Sequence, residues 1–285
     1  MKIIPFKIPK NTEEAFRVQV DKMPHLYNHL HQHPEIQLTL VKKSEGTLIA
    51  GDYVGRFVPG DVFVIGPNQP HVFRNDEPYF KKKLTAHTVS VFFDESTLGS
   101  YFWQLPETKA LRFFIRNSTG GFRVTGNKKM IIAGKLEAII NSEGIEKIIF
   151  FLEILKLLSA KKEMQQLSRN NLYRSIKTQD GSRLNRILEY TFSESHRHIT
   201  LDEVAKVANL TVESFCKYFK TRTRKTYINF LNEIRIQHAC RLLIENEETV
   251  SGVCYNVGFN NLSHFNRVFK KFNGISPRAY RSERI

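Results

Sequence analysis

The sequence predicts an α+β protein of two domains, a β-barrel followed by helices and then an all-α domain. Three observations predict it: short apolar runs between glycine and proline turns before residue 95, helical periodicity after that point, and a repeated helical unit after Arg183. The length of 285 residues suits two ordinary domains. We expect a first domain over 1–160, a linker over 161–182 that is partly helical near its start, and a second domain over 183–285.

The first domain begins with short strands from about Glu35 to Phe93. Segments 36–41, 62–65 and 87–93 are apolar or alternating, and turns containing glycine separate them. This regular spacing predicts a small barrel or sandwich. After Asp94 the period becomes helical, and we predict helices over 96–104, 108–117, 128–141 and 144–160.

The last of these helices carries a wide apolar stripe. Its members recur every three or four residues: Ile145, Ile148, Ile149, Leu152, Leu155 and Leu158. We expect this stripe to form the interface of a homodimer. The alternative is that it packs on the barrel of its own chain.

Composition limits the classes of function. Hydrophobic residues make up 41% of the chain, which excludes global disorder. The net charge of +15 favours a polyanionic partner. A solvated, lysine-rich surface would give the same charge balance. The three cysteines include no CxxC pair, which argues against disulfides and a cysteine-based zinc site. No secretory signal opens the chain, and charges interrupt its most apolar stretch, 145–160, so we expect a cytoplasmic protein without a membrane span.

An internal repeat decides the interpretation of the second domain. Residues 215–220 (FCKYFK) match 265–270 (FNRVFK) at an offset of 50, and apolar positions within 201–205 match those within 250–254 at an offset of 49. Each copy predicts a short helix, a turn and a second helix, and the turn holds a residue that tolerates positive φ, Asn209 or Gly258. The repeat therefore predicts two helix-turn-helix units.

The second helix of each unit is amphipathic. The predicted buried stripes contain Val212, Phe215, Tyr218 and Phe219 in the first unit, and Leu262, Phe265, Val268, Phe269 and Phe272 in the second. The opposite faces present Glu213, Cys216, Lys217 and Lys220, and Ser263, Asn266, Arg267 and Lys270. In a major groove, arginine pairs with guanine and asparagine pairs with adenine, so these faces are candidate DNA-reading surfaces. The alternative is that both faces are ordinary polar surfaces in contact with water. A helix over 227–244 would span about 27 Å, near the ~34 Å between successive major grooves.

On these residues the chain resembles a known family. Residues 183–281 are similar to the DNA-binding domain of AraC/XylS-type regulators, above all in the segments 257–259 (VGF), 263–271 (SHFNRVFKK), 274–277 (GISP) and 280–281 (YR). The resemblance implies that the outward residues of both second helices meet base edges, and that Lys270, Lys271 and Arg281 contact the DNA backbone. We also expect His264 to belong to the DNA-binding surface. The first unit departs from the family pattern. Asn209 and Arg224 replace usual glycines and Glu213 is unfavourable beside DNA, so we expect more base reading from the second unit.

Histidines mark the first domain. Residues 29–35 and 67–75, with Gly60-Asp61, resemble the two motifs of cupin barrels over about residues 25–95. The resemblance places His31, His33 and His71 at metal-ligand positions, with Gln37 where metal-binding cupins have glutamate. Imidazoles at i and i+2 of a strand share a face, which suits a divalent metal, but the missing carboxylate removes an anionic ligand. Two alternatives are an effector pocket lined by these four residues, and histidines that only hydrogen-bond neighbouring strands.

Together these observations predict a bacterial transcription regulator and not an enzyme, with a small-molecule effector in the barrel and no required cofactor. The expected partners are a double-stranded DNA operator, a second copy of the chain and, for an activator, RNA polymerase. Two alternatives stay open. One is a metal-dependent cupin enzyme fused to a DNA-binding module, and the other is a constitutive DNA-binding protein whose barrel serves only for dimerisation.

Overall fold

A computed structural model describes residues 8, 14–82, 84–160, 162–168, 178–245 and 248–283, with the backbone alone for 178–181. The chain divides into two compact domains between Ile176 and Lys177. None of the described helices combines the length and the apolar character needed to cross a bilayer.

The described strands of the N-terminal domain form two antiparallel sheets. They are β1 Arg17–Met23, β2 Ile36–Lys43, β3 Gly46–Ala50, β4 Tyr53–Phe57, β5 Val62–Ile65, β6 His71–Asn75, β7 Ala86–Phe93, β8 Phe122–Val124 and β9 Met164–Gln166. The larger sheet has the order β1-β7-β2-β5-β8-β9, and the smaller has the order β4-β3-β6. Strands β1, β8 and β9 were not predicted from the sequence.

The predicted barrel is corrected to a sandwich of two sheets. Within the described residues, neither edge strand of the smaller sheet, β4 or β6, pairs with a strand of the larger one, so no closed barrel forms. Buried side chains from both sheets meet between them, including Val41, Phe63, Leu48 and Phe73. The alternating residues of β2, β5 and β7 point to the other face of the larger sheet and form a second core with the following helices.

The helices described in this domain are α1 Pro78–Lys81, α2 Gly99–Phe102, α3 Lys109–Asn117, α4 Gly126–Ile140 and α5 Gly144–Ser159. Four of them agree with the predicted ones within a few residues, and the short α1 was not predicted. In α5 the predicted apolar stripe divides. Leu155 and Leu158 are buried together with Phe151 and Ile154, which the prediction omitted, whereas Ile145 and Ile149 are 71% and 49% exposed. The stripe therefore packs on its own domain in its second half and is open in its first half.

The predicted linker, residues 161–182, is too long. Met164–Gln166 forms β9, which pairs with β8, so the start of this segment is a strand and not a helix. Helix α6 already begins at Thr178. Residues 169–177, the rest of the predicted linker, lie outside the described residues.

The C-terminal domain is helical, as predicted. Its helices are α6 Thr178–Glu194, α7 Leu201–Val207, α8 Val212–Thr223, α9 Tyr227–Glu245, α10 Val250–Asn256, α11 Leu262–Asn273 and α12 Pro277–Ser282. The Thr200 hydroxyl and the Glu203 carboxylate form the predicted capping box at the start of α7. The side chains of Thr211, Thr249 and Asn261 accept amide hydrogen bonds at the starts of α8, α10 and α11. Short polar residues thus define where each helix begins.

Candidate nucleic-acid interface and histidine cluster

The repeat forms two helix-turn-helix units, which we define as residues 200–224 (first unit, α7 and α8) and 249–274 (second unit, α10 and α11). The turn between the two helices contains Asn209 at φ 54° in the first unit and Gly258 at φ 90° in the second. The second helix then ends on another left-handed residue, Arg224 at φ 60° or Gly274 at φ 79°. Both turns therefore have the backbone geometry that the sequence predicted, although the first unit achieves it without glycine.

Aromatic side chains fix each second helix to the core of its unit. In α8, the rings of Phe215 and Phe219 lie 5.3 and 5.4 Å from the ring of Tyr227. In α11, Phe265 and Phe269 pack together, and Phe269 lies 5.5 Å from Tyr280. These edge-to-face contacts bury one side of the helix and hold the other side in a fixed orientation.

The outward faces of α8 and α11 are exposed as predicted. The exposed residues are Glu213, Cys216, Lys217 and Lys220 on α8, and Ser263, Asn266, Arg267, Lys270 and Lys271 on α11. His264 is only half-exposed because its ring packs against Phe259 at 5.6 Å. The face of α11 offers a guanidinium, an amide and two ammonium groups, which is a donor set suited to base edges and phosphates.

Arg281 and Phe272 of the second unit have surroundings that the sequence did not predict. The guanidinium of Arg281 donates to the backbone carbonyls of Leu243 and Glu248, which holds the end of α9 to the start of α10, and its contact with the DNA backbone stays a prediction. Phe272, expected in the buried stripe, is 36% exposed. It follows Lys271 near the end of α11, where the helix extends past the core.

The sequence interpretation missed Arg235, which is 8% exposed in the middle of α9. Its Nε donates to the carbonyl of Ser195 at 2.8 Å and its Nη2 to the carbonyl of Arg197 at 2.7 Å. A weak signal was present: Arg235 stands between the apolar residues Ile234 and Ile236, and a charge that is buried beside such neighbours needs polar partners.

Three histidines gather inside the N-terminal domain. One imidazole nitrogen from each of His31, His33 and His71 lies within 4.8 Å of the other two, and all three residues are buried. His31 and His71 exchange two backbone hydrogen bonds as an isolated bridge. His33 lies in the segment before β2, so the prediction that both first-motif histidines share one strand is wrong, although their side chains converge.

Each imidazole has one nitrogen fixed by a backbone carbonyl. Nδ1 lies 2.9 Å from the carbonyl of His29 in His31, 3.0 Å from that of Glu35 in His33 and 2.8 Å from that of Gln69 in His71. A carbonyl only accepts, so each Nδ1 carries the proton. Burial lowers the pKa of His31 to about 4 and also lowers the pKa of His33 and His71, so all three rings are neutral near pH 7. Each Nε2 therefore carries a lone pair.

Gln37 joins the cluster at the position predicted for it. Its Oε1 lies 3.1 Å from Nε2 of His33 and 3.0 Å from Nε2 of His71. Its Nε2 donates to the Thr39 hydroxyl, which lies 2.8 Å from the hydroxyl of Ser90. Thr39 and Ser90 were missed by the sequence interpretation, although Thr39 follows Gln37 by two residues on β2 and so faces the same side.

The comparisons with known proteins agree with this geometry in the C-terminal domain. A protein-family profile described as a helix-turn-helix domain matches residues 204–283. The chain is 33% identical over 95 residues to the HTH-type transcriptional regulator YobQ of Bacillus subtilis, which covers 33% of this chain and 39% of YobQ. It is 22% identical over 251 residues to the HTH-type transcriptional activator RhaS of Mannheimia succiniciproducens, covering 88% of each chain. The chain spans 39% or less of the first three curated relatives it matches.

Two solved structures are similar at low scores. ToxT from Vibrio cholerae gives a TM-score of 0.39 at 13% identity, covering 95% of this chain and 98% of ToxT. The DNA-binding domain of AdpA, crystallised with a target DNA, gives 0.33 at 24% identity, covering 34% of this chain and 87% of that domain.

The C-terminal domain thus contains a helix-turn-helix domain. More specifically, the match over residues 204–283 agrees with the predicted similarity of residues 183–281 to the DNA-binding domain of AraC/XylS-type regulators. The N-terminal half is β-rich, as a cupin-like sensor domain would be. The names of the matched relatives describe transcriptional regulators, which agrees with the prediction of a regulator and gives the alternative of a metal-dependent enzyme no support.

Proposed function

We propose that this chain is a sequence-specific DNA-binding regulator of transcription that responds to a ligand in its N-terminal domain. The observation that carries the proposal is the repeated unit with a buried aromatic face and an exposed polar face on each second helix. Helices of this form enter the major groove in helix-turn-helix proteins. The names of YobQ and RhaS, both described as transcriptional regulators, support the assignment.

The roles on DNA follow from the chemistry of the exposed side chains. Arg267 pairs with guanine and Asn266 with adenine, with Ser263 beside them near the start of α11, whereas Lys270 and Lys271 neutralise phosphates. In the first unit, Lys217 and Lys220 anchor phosphates, and Glu213 and Cys216 contribute little attraction. His264 contacts a base only at the cost of its packing on Phe259.

Genome-wide mapping of the DNA bound by the chain in its own bacterium tests this function. We expect discrete sites that share a two-block motif, and altered transcription of adjacent genes when the chain is deleted. The double variant Asn266→Ala, Arg267→Ala is the matched control, because both residues are exposed and their loss leaves the core intact. The proposal would be contradicted if the wild type enriched no DNA sites more strongly than this double variant does.

The histidine cluster supports a divalent transition metal as the ligand of the N-terminal domain. With Nδ1 protonated in each ring, the Nε2 atoms carry lone pairs. Oε1 of Gln37 faces Nε2 of His33 and Nε2 of His71, so three hydrogen-bond acceptors lie together and repel one another. A cation between them removes the repulsion. Three neutral imidazoles whose Nδ1–H groups donate to carbonyls form the usual surroundings of metal-binding histidines. Imidazole and amide donors suit zinc, nickel or copper better than magnesium or calcium.

Without a metal, rotation of the Gln37 amide satisfies the same groups. The amide NH2 then donates to Nε2 of both His33 and His71, and Oε1 accepts from the Thr39 hydroxyl. Gln37 thus has two satisfied orientations, one for each state of the cluster. In the second orientation the four residues would offer polar contacts to a small organic effector, which is the competing proposal for this site.

Metal analysis separates the two ligands. Wild-type protein purified without chelator should contain about one zinc, nickel or copper ion per chain, and the variant His31→Ala, His33→Ala, His71→Ala should contain none. Gln37→Glu is the informative companion, because a carboxylate at this position should tighten binding. A metal-free wild type that binds no added Zn²⁺ excludes the metal and leaves the organic effector. Regulation itself requires that DNA affinity changes when the site is loaded.

We also propose a homodimer that forms through the exposed start of α5. Ile145 and Ile149 lie one helical turn apart, and the exposed Ile140 ends the adjacent helix α4, so three apolar side chains gather at one end of this helical hairpin. A second copy of the chain offers the same apolar surface. Ile145→Glu and Ile149→Glu should yield folded monomers in sedimentation velocity. A wild type that is monomeric at micromolar concentration would rule the dimer out.

RNA polymerase is the remaining proposed partner, and it applies only to an activator. Transcription of a target gene in vitro decides the sign. Higher transcription in the presence of the chain would indicate activation and contact with the polymerase, whereas lower transcription would indicate repression by occupancy of the DNA.

A further inference from the structure

Arg235 lies where the two helix-turn-helix units meet. Helix α9 contributes its first half to the core of the first unit, through Tyr227 and Phe230, and its second half to the core of the second unit, through Ile236 and Ala239. Arg235 stands between these halves. A connection through one helix resists bending but leaves each unit free to pivot where it packs on that helix.

The guanidinium of Arg235 reaches the first unit through the loop that enters it. It donates to the carbonyls of Ser195 and Arg197, just after the end of α6. This loop is itself fixed, because the side chain of Arg197 donates to Glu194 at 2.6 Å and to Glu203 of α7 at 3.1 Å. Arg235 is thereby connected to the first helix of the first unit.

The other side of Arg235 meets the turn of the second unit. Its guanidinium carbon lies 5.6 Å from the centre of the Phe259 ring. The neighbouring Gly258 approaches the same loop so closely that a Cβ on it would lie 2.4 Å from the Ser195 carbonyl oxygen and 3.0 Å from Nε of Arg235. The turn of the second unit therefore touches the entry loop of the first unit, with Arg235 between them.

We propose that Arg235 is a positioning residue that locks the two helix-turn-helix units into one rigid reader with a fixed separation between α8 and α11. The bidentate guanidinium is buried and planar, so it joins two backbone carbonyls on one side to an aromatic turn on the other. This second attachment, beside the shared helix α9, removes the freedom of the units to pivot.

Arg281 provides the matched control. Its guanidinium also donates to two backbone carbonyls, those of Leu243 and Glu248, but both lie at the entrance of the second unit alone. Loss of Arg281 removes the same chemistry without touching the contact between the units.

The direct test needs no DNA. Spin labels are placed on the exposed native Cys216 of α8 and on α11 through Asn266→Cys, and pulsed electron resonance gives the distribution of distances between them in the full chain. We expect one narrow peak in this labelled parent and a distribution about twice as wide in Arg235→Leu, with no broadening in Arg281→Leu. Arg235→Lys keeps the positive charge but loses the bidentate guanidinium, so it should broaden the peak less than Arg235→Leu. It replaces the leucine variant in the test if that variant does not fold. An unchanged width in the folded Arg235 variant would overturn the proposal.

A second measurement rests on the proposed DNA-binding function. A duplex selected from random DNA by the full chain is lengthened by one base pair between its two blocks, which rotates one block by about 35°. For each protein, affinity for the lengthened duplex is compared with affinity for the selected duplex. We expect a loss of about 10-fold for the wild type and for Arg281→Leu, and a loss of less than about 3-fold for Arg235→Leu. Equal losses would overturn the proposal, as would a selected motif of one block. If no duplex is selected, the proposed function fails, and the spin-label result still decides the role of Arg235.

Discussion

The two helix-turn-helix units share a backbone and differ in what they present. Both have threonine at the start of the first helix, two buried phenylalanines in the second and left-handed residues at the turn and the end. The second unit uses glycine at both left-handed positions and presents Arg267 and Asn266. The first unit uses Asn209 and Arg224 and presents Glu213 and Cys216. A duplicated fold thus keeps its core while its outer faces diverge. This divergence is the reason for the proposal that the second unit does most of the base reading.

The turn residues should give the largest difference between the units. Gly258→Ala places a methyl group 2.4 Å from the Ser195 carbonyl in a left-handed backbone, which should lower the free energy of unfolding by about 2–4 kcal/mol. Asn209→Gly should change it by less than about 1 kcal/mol, because asparagine already tolerates this conformation. Denaturation followed by circular dichroism measures both. Trp103 fluorescence monitors the N-terminal domain separately and should not change. Equal effects of the two substitutions would show that the turns are equivalent.

The DNA-facing arginine should give the next largest effect. Arg267→Ala should cost about 1–3 kcal/mol in binding and relax the preference at one base pair, because a bidentate contact to guanine is lost. Lys217→Ala, at the matching position of the first unit, and Lys270→Ala should weaken binding to all duplexes alike and lower the salt slope by about 1. Titrations against specific and scrambled duplexes at several salt concentrations compare them. If Lys217→Ala alters base preference as much as Arg267→Ala, the assigned difference between the units is wrong.

The left-handed residues that end α8 and α11 should shift stability in opposite directions. Arg224→Gly should raise the free energy of unfolding by about 0.5–1 kcal/mol, because it removes a side chain from a conformation that disfavours one. Gly274→Ala should lower it by about 1 kcal/mol, and only for conformational reasons, since a Cβ there meets nothing within 4 Å. Urea denaturation of both variants tests this. A destabilising Arg224→Gly would mean that the arginine makes a compensating contact.

Glu213 should give the smallest effect, with opposite signs for stability and binding. The carboxylate lies in the first turn of α8, where it favours the helix dipole, yet it faces the side assigned to DNA. Glu213→Gln should therefore cost a few tenths of a kcal/mol in stability and strengthen binding to all duplexes by less than about 1 kcal/mol, an effect that salt removes. Weaker binding at low salt would place Glu213 in a direct base contact instead.

The two domains differ in how far the sequence predicted them. In the C-terminal domain, helical periodicity, helix caps and the repeat are local signals, so the helices and the exposed residues of α11 agree with prediction. The structural roles of Arg281 and Arg235 were not predicted, because their partners are backbone carbonyls 33 to 40 residues away, which no local pattern reveals.

In the N-terminal domain the failures have the same physical origin. The strands Phe122–Val124 and Met164–Gln166 are three residues long and form by pairing with each other and with β5, so their own sequence carries little signal. The barrel was predicted from turn spacing, which also suits a sandwich. The histidines converge as the motif resemblance implied, but the contact of Thr39 with Ser90 depends on the register with which β2 pairs with β7.

Selection of binding sites from random duplexes, by wild type and by Arg267→Ala in parallel, tests the central claim most directly. The account predicts a wild-type motif of two blocks about one helical turn apart, with most of its information in one block, and loss of a guanine from that block in the variant. A wild type that enriches no motif would contradict DNA reading by this chain. A motif that keeps every base in Arg267→Ala would contradict the assignment of base reading to the second unit.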